Sequence, residues 1–523
     1  MKHDQSRGPV HITRRDLFAT AAGLIVAGAA HGETPSSRIV DMDATALSAA
    51  IHRRDLSCVE VMQAYLEQIA RLNSRVTALV ALQEPEILIA RARACDEQLA
   101  RNLSSGWMHG MPHAVKDLEP VRGIVSTSGS PIFRTFVPTE DSYPVERLRK
   151  AGAIFVGKTN VPEFGLGSQS YNRVYGTTAN AYDLTKTAGG SSGGAAAALA
   201  LHMVPVADGS DYGGSLRNPA AFNNVFGFRP SIGRVAHGGD SFLPSMGVIG
   251  PVARTVPDLA MLLSVMAGYD PRDPSSLGED PAQFTRSLSR DFRGVRIAWL
   301  GDYGGYLPFE PGILALCRSA LGVFERLGCD VDKVTPDYPM EEVWRDFVTL
   351  RAWQTSAGLA PLYRDPTKRM ALKPEAIWEV EHGLALRGAD VARASEGRNR
   401  WYQAFLALLA DYDFVLTPSA QVFPFNADIH WPREVAGRAM DSYHRWMEVV
   451  APITMTGCPA LNVPVGFNTA GLPMGMQIVG RPRADFACLQ LAQAYDLETG
   501  WVRRRPPPLS GMKAEIGGGH ALP

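Results

Sequence analysis

The sequence has little of what marks a metalloprotein, a disulfide scaffold or a nucleic-acid-binding protein. Its six cysteines are scattered through 523 residues and form no C-x-x-C pair, which predicts neither a disulfide framework nor a structural zinc site. His109 and His113 have the spacing of a helical metal pair, but Gly110 and Pro112 stand between them and prevent that helix. A net charge of −1 argues against nucleic acid or a membrane surface as a partner. We therefore expect no metal ion and no cofactor.

An apolar run long enough to cross a membrane is also missing near the N-terminus. The run from Leu17 to Ala30 is about 14 residues, against the roughly 20 that a spanning helix needs. A twin-arginine pattern (Arg14-Arg15) precedes it and small residues follow. We expect residues 1–32 to be a twin-arginine signal peptide, and the mature protein to be periplasmic or secreted and not membrane-bound. By the same reading, 33–508 form one domain and 509–523 a flexible tail.

The chemistry is concentrated between Thr187 and Arg229. A glycine-rich bend, Gly189–Gly194, contains Ser191 and Ser192, and a second bend, Gly213-Gly214-Ser215, follows. Because glycine permits positive φ, backbone amides in such bends can turn toward a ligand. A serine among such amides can act as a nucleophile beside an oxyanion hole.

Two other interpretations of the first bend fit less well. A P-loop needs Gly-Lys-Ser/Thr, and no lysine follows here. Gly190, Ser192 and Gly194 also form the G-x-S-x-G of a nucleophile elbow, which would make Ser192 the nucleophile of an α/β-hydrolase-like esterase. That elbow needs a strand immediately before it, whereas Tyr182 to Thr187 are largely polar.

A third element changes the interpretation. Gly110 to Asp117 is a turn and a short apolar run that deliver Lys116. Together with Ser191, Ser215 and the runs Gly165–Ser168 and Gly471–Gln477, these motifs resemble the amidase signature family of serine hydrolases. The resemblance extends from about Val40 to Pro482. It implies an α/β fold in which helices cover both sides of a mixed central sheet, with a signature core at about 105–235 and a more variable, substrate-shaping region at about 300–450.

The resemblance also assigns roles. Ser215 is expected to be the nucleophile, Ser191 the bridging serine in a cis Gly190–Ser191 peptide, and Lys116 the base. A lysine has a pKa near 10.4, but burial disfavours its charged form and lowers that value. Neutral Lys116 would then accept a proton from Ser191, which takes one from Ser215.

The residues around the nucleophile complete the predicted site. The backbone amides of Tyr212, Gly213 and Gly214 are expected to bind the oxyanion. Asp211 and Arg217 flank the nucleophile and are expected to hold its loop, and Ser192 is expected to be a supporting hydroxyl.

The expected activity is the metal-independent hydrolysis of a carboxamide C–N bond through a serine acyl-enzyme. Six of nine tryptophans lie between Trp344 and Trp446. Most are expected in the core, but an aromatic wall there would favour small hydrophobic or aryl amides. A glutaminase-type amidotransferase subunit is an alternative that the export signal disfavours. A non-catalytic binding protein on the same fold is another, which the intact Lys116, Ser191 and Ser215 disfavour. The protein is expected to be a monomer or a homodimer.

Local patterns also predict individual elements. Ser57 with Glu60 three residues later is a helix-capping box. The predicted helices are Pro85–Ala100, Asp141–Ala151 and Gly312–Leu327, and the predicted strands include Ile154–Gly157, Arg296–Leu300 and Asp413–Leu416.

Overall fold

The computed structural model of the chain describes residues 35–238 and 246–511. The predicted signal segment 1–32 lies outside the described residues, as do residues 512–523 of the predicted tail. Pro508–Gly511, where the predicted tail begins, forms a 3-10 turn. The described residues from Ser36 onward form one compact unit.

Strands and helices are interspersed along the described chain. The strands are β1 (Leu79–Val80), β2 (Pro112–Lys116), β3 (Ile154–Thr159), β4 (Tyr171–Asn172), β5 (Gly176–Thr177), β6 (Val206–Asp211), β7 (Phe226–Arg229), β8 (Val248–Ala253), β9 (Arg296–Trp299), β10 (Asp330–Lys333), β11 (Phe414–Pro418), β12 (Glu434–Val435), β13 (Arg438–Ala439), β14 (Ala460–Phe467) and β15 (Pro473–Gly480). The helices are α1 (Pro35–Asp41), α2 (Ala44–His52), α3 (Cys58–Val76), α4 (Pro85–Ala100), α5 (Tyr143–Lys150), α6 (Gly193–Ala200), α7 (Arg217–Phe222), α8 (Val256–Met266), α9 (Ile313–Arg326), α10 (Met340–Arg364), α11 (Pro366–Ala371), α12 (Pro374–Ala385), α13 (Gly388–Asp411), α14 (Ala451–Thr456), α15 (Asp485–Thr499) and α16 (Trp501–Arg504).

The locally predicted elements are confirmed to within a few residues. The α4 helix has the predicted bounds, and α5, α9, β9 and β11 differ from prediction by at most two residues at either end. The α3 helix begins with the predicted capping box, in which Glu60 N donates to Ser57 Oγ and Ser57 N donates to Glu60 Oε2. These agreements follow from short-range causes: side-chain caps and hydrophobic periodicity.

The centre of the fold is an eight-stranded mixed sheet in the order β10-β9-β11-β15-β14-β7-β8-β6. The pairs β10/β9 and β9/β11 are parallel, and the remaining pairs are antiparallel. A smaller sheet, β1-β3-β2, pairs β2 with β3 in parallel. The predicted α/β class with a mixed sheet is therefore confirmed.

Helices cover both faces of the large sheet, as the side-chain alternation of β15 shows. Gln477 accepts a hydrogen bond from Arg217 of α7. Gly480, three positions along the strand, lies against Cys488 of α15. Because successive side chains of a strand point to opposite faces, α7 and α15 pack on opposite sides.

Helix α6 explains the run of alanines and glycines in the sequence. All eight of its residues are buried. A Cβ on Gly194 would overlap backbone atoms of Asn160 at the end of β3. Only small residues allow this helix to approach the strand so closely, and the approach brings the Ser191 bend next to the end of β2.

Candidate active site

Lys116 is the last residue of β2, a strand whose five residues are all buried. Its backbone N–H donates to Asp208 Oδ2 at 3.1 Å, on β6. The same carboxylate lies 3.0 Å from His113 Nε2. Asp208 therefore fastens the small sheet to the edge of the large one. His113, which lies on strand β2, takes part in this contact.

The Lys116 amine is surrounded by hydroxyl groups. Its Nζ lies 2.8 Å from Ser191 Oγ, 2.7 Å from Ser192 Oγ and 2.9 Å from Ser210 Oγ. It also lies 3.2 Å from the Ser210 carbonyl oxygen. Among the described residues, hydroxyl and carbonyl oxygens, and no carboxylate, take the hydrogen bonds of this amine.

This environment weakens the proton affinity of Lys116. The side chain is fully buried, and burial lowers its pKa to about 7 against the opposing charges of Asp208 and Asp211. Near neutral pH, a large fraction of this lysine is an uncharged amine with a free lone pair. This is the state that the proposed role of Lys116 as a base requires.

The Ser191 bend is held by the polar residues that precede it. The Gly190–Ser191 peptide is cis, as expected. Ser168 Oγ donates to Gly190 O at 2.7 Å and accepts from Gly190 N at 3.2 Å. Ser170 Oγ accepts from Gly193 N at 3.2 Å, at the start of α6. Ser168 and Ser170 thus fix the conformation of this bend.

Ser215 lies on the second bend, between β6 and α7, and is only 8% exposed. Its carbonyl oxygen accepts a hydrogen bond from Ser192 N at 3.2 Å, so the two serine-bearing bends contact each other. Gly214, with φ of +92°, makes the turn before the serine. Its N–H donates to Asp211 Oδ1 at 2.9 Å. The Gly214 amide, expected to bind the oxyanion, is therefore committed to Asp211 in this structure.

Asp211 and Arg217 form the buried frame of that bend. Arg217 donates to both carboxylate oxygens of Asp211, at 2.8 and 2.9 Å, and Leu216 N donates to the same carboxylate at 3.1 Å. Arg217 also reaches Gln477 of β15 at 2.6 Å. Burial alone would raise the pKa of Asp211, but Arg217 and Arg229 hold it well below its usual range. The carboxylate stays ionised and locks the turn to the large sheet.

Aromatic side chains from α10 lie beside the same bend. A Cβ on Gly213 would lie 3.4 Å from Phe347 Cζ, so the Phe347 ring contacts this glycine. Phe347 stacks on Trp344 with ring centroids 5.6 Å apart, and lies 6.2 Å from the Tyr212 ring. Of the six tryptophans between 344 and 446, Trp344, Trp401 and Trp446 are buried and Trp353, Trp378 and Trp431 half-buried.

Two residues of the site were not anticipated from the sequence. Ser210 contacts the Lys116 amine, and Asp208 orients the strand that carries it. Both belong to β6 and meet β2 only in the folded chain, so no local motif identifies them. Ser192, expected to play a supporting part, contacts the amine directly.

The nucleophile-elbow interpretation of Ser192 fails on geometry. Before Gly190, Thr187 forms only an isolated bridge with Ala179, so no strand enters the bend. The Ser192 side chain is fully buried and directed to Lys116. In an elbow, the serine would be exposed at the top of a strand-to-helix turn.

The described part of the chain holds no group of three or more His, Cys, Asp or Glu residues arranged to hold a metal ion. His109, the other member of the spaced pair, accepts from Ser105 N and lies 3.1 Å from Cys95 O. Among residues 35–238 and 246–511, no helix combines the length and apolarity of a membrane span.

Known proteins with the same organisation extend these observations. The sequence profile described as Amidase matches residues 60–489. A glutamyl-tRNA(Gln) amidotransferase subunit of Chloroflexus aurantiacus is 34% identical over 486 residues, covering 88% of this chain and 97% of the relative. An acylamidase of Rhodococcus erythropolis is 31% identical over 480 residues, covering 89% and 97%. The crystal structure of a bacterial aryl acylamidase of the amidase signature family superposes with a TM-score of 0.83 at 26% identity, covering 90% of this chain and 99% of that one.

The fold and these matches define a hydrolase that acts on amide C–N bonds. The chain belongs to the amidase signature family, and its fold is the amidase signature fold.

Proposed function

We propose that this protein hydrolyses small hydrophobic or aryl amides through an acyl-enzyme on Ser215, with Ser191 and Lys116 as the proton relay. One observation carries the proposal: a fully buried amine with a pKa of about 7 lies 2.8 Å from the Ser191 hydroxyl. A lysine in that state can accept a proton at neutral pH, which an ordinary surface lysine cannot. No histidine is required.

The proposed first half-reaction is acylation. Neutral Lys116 Nζ accepts the proton of Ser191 Oγ, and Ser191 accepts the proton of Ser215. The Ser215 oxygen then attacks the amide carbon and gives a tetrahedral oxyanion. Because the Gly214 amide is committed to Asp211, we assign the oxyanion to the amides of Tyr212 and Gly213. Each such donor typically contributes about 3–4 kcal/mol to the stability of the transition state.

The proposed second half-reaction regenerates the enzyme. Collapse of the tetrahedral species breaks the C–N bond, and the amine leaves with the proton returned from Lys116 through Ser191. A water molecule then attacks the acyl-enzyme, gives its proton to the same relay and releases the carboxylic acid. The same acyl-enzyme would form from an ester, so a lower esterase activity is expected.

The aromatic wall beside the nucleophile supports the proposed substrate class. The Phe347 ring contacts Gly213 in the bend that carries Ser215, Trp344 stacks on Phe347, and the Tyr212 ring lies beside it. Aromatic surfaces favour apolar acyl or aryl groups over charged ones. An acylamidase and an aryl acylamidase among the similar proteins also support this class.

A glutaminase function is the second candidate, supported by the similarity to the glutamyl-tRNA(Gln) amidotransferase protein. Free glutamine carries a carboxylate and an ammonium group that need charged partners. The guanidinium over the Tyr212 ring, that of Arg351, is already paired with Glu379 at 2.7 Å and with Tyr443 at 3.0 Å. This pairing favours the uncharged substrate.

Residues 1–32 are proposed to direct export by the twin-arginine route, which would place the enzyme in the periplasm or outside the cell. The support is the Arg14-Arg15 pattern followed by the apolar run to Ala30. The mass of the N-terminal peptide of protein isolated from its native host tests this. A mature N-terminus near residue 33 agrees with export, and an intact Met1 terminus contradicts it.

The function is tested with a panel of anilides, aliphatic amides, an aryl ester and L-glutamine, using wild type and Ser215→Ala. We expect anilide hydrolysis by the wild type and a loss on the order of 10⁴-fold or more in the variant. Ser264→Ala is the control, since that serine lies on α8 and donates to Met261 O. Near-full activity of Ser215→Ala would overturn the assignment of Ser215 as the nucleophile. A preference for glutamine would favour the glutaminase function.

A further inference from the structure

Two cysteine thiols meet at a glycine on the side of the molecule that carries α3 and α4. Cys58 is the first residue of α3 and Cys95 lies in α4. Both side chains lie within contact distance of Gly110, each affects the pKa of the other, and all six cysteines are free thiols. The two side chains are therefore neighbours, although the residues are distant in sequence.

Gly110 shows how closely the two side chains pack. A Cβ on Gly110 would overlap the Cys58 sulfur and would lie 3.6 Å from Cys95 Cβ. Gly110 has φ of +75°, a conformation that suits glycine. The glycine thus makes room for both cysteines in one place.

Hydrogen bonds from the α3 backbone to Asp96 of α4 hold these two helices together. Cys58 N donates to Asp96 Oδ1 at 2.7 Å and Val59 N donates to Asp96 Oδ2 at 3.2 Å. Asp96 follows Cys95 directly, so the first turn of α3 is fastened to the turn of α4 that carries the second thiol. A carboxylate at a helix N-terminus is a favourable arrangement, which keeps this junction in place.

We propose that Cys58 and Cys95 form an intramolecular disulfide when the protein meets a small disulfide oxidant. The half-buried Cys95 reacts first, because Cys58 is fully buried. The Cys95 thiolate attacks one sulfur of the oxidant RSSR, forms a mixed disulfide and expels RS⁻. The Cys58 thiolate then attacks the Cys95 sulfur and expels the second RS⁻. The two thiolates released take up the protons lost by the cysteines, so two thiols are oxidised and one disulfide is reduced.

The charges around the pair agree with this order of events. The Cys58 thiol lowers the pKa of Cys95, aided by the Gly110 amide and opposed by burial and Asp96. The interaction with Cys95, burial and the charge of Asp96 raise the pKa of Cys58. Cys95 is thus the thiol more readily ionised and the one more accessible to an oxidant.

A second pair of cysteines provides an internal comparison. Cys458 and Cys488 are close enough to interact electrostatically, but both are fully buried, and burial raises the pKa of each thiol. An oxidant that reaches Cys95 has no such access to these two. Oxidation of Cys58 and Cys95 without oxidation of Cys458 and Cys488 would therefore distinguish the proposed disulfide from general oxidation of thiols.

The test uses the full chain incubated with oxidised glutathione, blocked with iodoacetamide and digested with trypsin without reductant. The expected product is the peptide of residues 55–71 joined to that of residues 94–101. Dithiothreitol should separate the two, and a peptide joining Cys458 to Cys488 should be missing. Glutathione retained on Cys95, free thiols at both positions, or randomly paired cysteines would each overturn the proposal.

Variants provide a second, independent readout. Oxidation should raise the Tm of the wild type by several degrees, because the cross-link restricts the unfolded chain. Cys95→Ser should abolish that rise, and Cys317→Ser, a change at a buried cysteine of α9, should keep it. If Cys95→Ser shows the same rise as the wild type, the stabilisation has another source and the proposal fails.

Discussion

Two buried lysines on neighbouring strands show how surroundings decide what a lysine does. Lys116 ends β2 and Lys158 lies on the paired strand β3, and neither side chain is exposed to solvent. Burial lowers the pKa of both. The two strands thus bury two amines of the same type side by side.

Their partners differ. Lys158 Nζ lies 4.0 Å from Asp117 Oδ1 and donates to Glu119 O. Asp117 in turn accepts from Thr127 N at 3.0 Å, so this pair ties the loop after β2 to the small sheet. The Lys116 amine has hydroxyl partners and no adjacent carboxylate among the described residues. Burial lowers the pKa of Lys158 and the adjacent Asp117 charge opposes that lowering, whereas no carboxylate hydrogen-bonds to the Lys116 amine among the described residues. This difference suits Lys116 to the role of base.

The largest expected effect comes from Lys116→Met. Removing the base should lower kcat/KM on the order of 10⁴-fold, because Ser191 then has no acceptor for its proton. The fold should persist, since methionine fills a similar volume without a buried charge. Amide hydrolysis by the purified variant, with circular dichroism as the control for folding, measures both. Activity within tenfold of the wild type would contradict the role of Lys116.

The difference in stability between the wild type and Lys116→Met should depend on pH. A lysine whose folded pKa is about 7 binds fewer protons in the folded than in the unfolded state between pH 7 and about 10.4. Wild-type stability therefore gains from this group as pH rises through that window. The wild-type Tm should approach that of Lys116→Met, or pass it, between pH 7 and pH 9. A constant gap would mean that Lys116 has an ordinary pKa.

Lys158→Met should lose stability and keep most of its activity, the opposite of Lys116→Met. The change leaves the buried Asp117 carboxylate unpaired, and breaking such a pair typically destabilises by about 3–5 kcal/mol. The activity per folded molecule should fall much less than in Lys116→Met. Unfolding by urea, monitored beside kcat, separates the two effects. Adding Asp117→Asn to Lys158→Met should recover part of the lost stability, and no recovery would show that the pair is not the cause.

Smaller effects are expected at the other two hydroxyls around Lys116. Ser192→Ala and Ser210→Ala each remove one hydrogen bond to the amine. We expect each loss to lower kcat/KM by roughly 10- to 100-fold. Both variants should still react at Ser215 with a fluorophosphonate probe, as mass spectrometry would show. A complete loss of labelling in Ser192→Ala alone would revive Ser192 as the nucleophile.

The sequence predicted those parts of the molecule that depend on local patterns. The bends around Ser191 and Ser215 are visible because glycine is required there, and the α3 cap because its two residues are three positions apart. The family resemblance adds the Lys116 strand to these bends.

The contacts that depend on tertiary structure were not predictable. Asp208 and Ser210 meet Lys116 only because β6 lies beside β2, and Phe347 reaches Gly213 from a helix more than a hundred residues away. The hydrogen bond from the Gly214 amide to Asp211 also depends on the folded conformation of the turn. The meeting of Cys58 and Cys95 depends in the same way on the packing of α3 against α4.

The most direct test of the central claim is the rate at which a fluorophosphonate modifies Ser215 between pH 5 and pH 9. With Lys116 as the base, the wild-type rate should rise about tenfold per pH unit below its inflection and level off above an apparent pKa near 7. Lys116→Met should react slowly and without that inflection, whereas Lys158→Met should retain it. A wild-type rate that is flat across this range, or an unchanged inflection in Lys116→Met, would contradict the account.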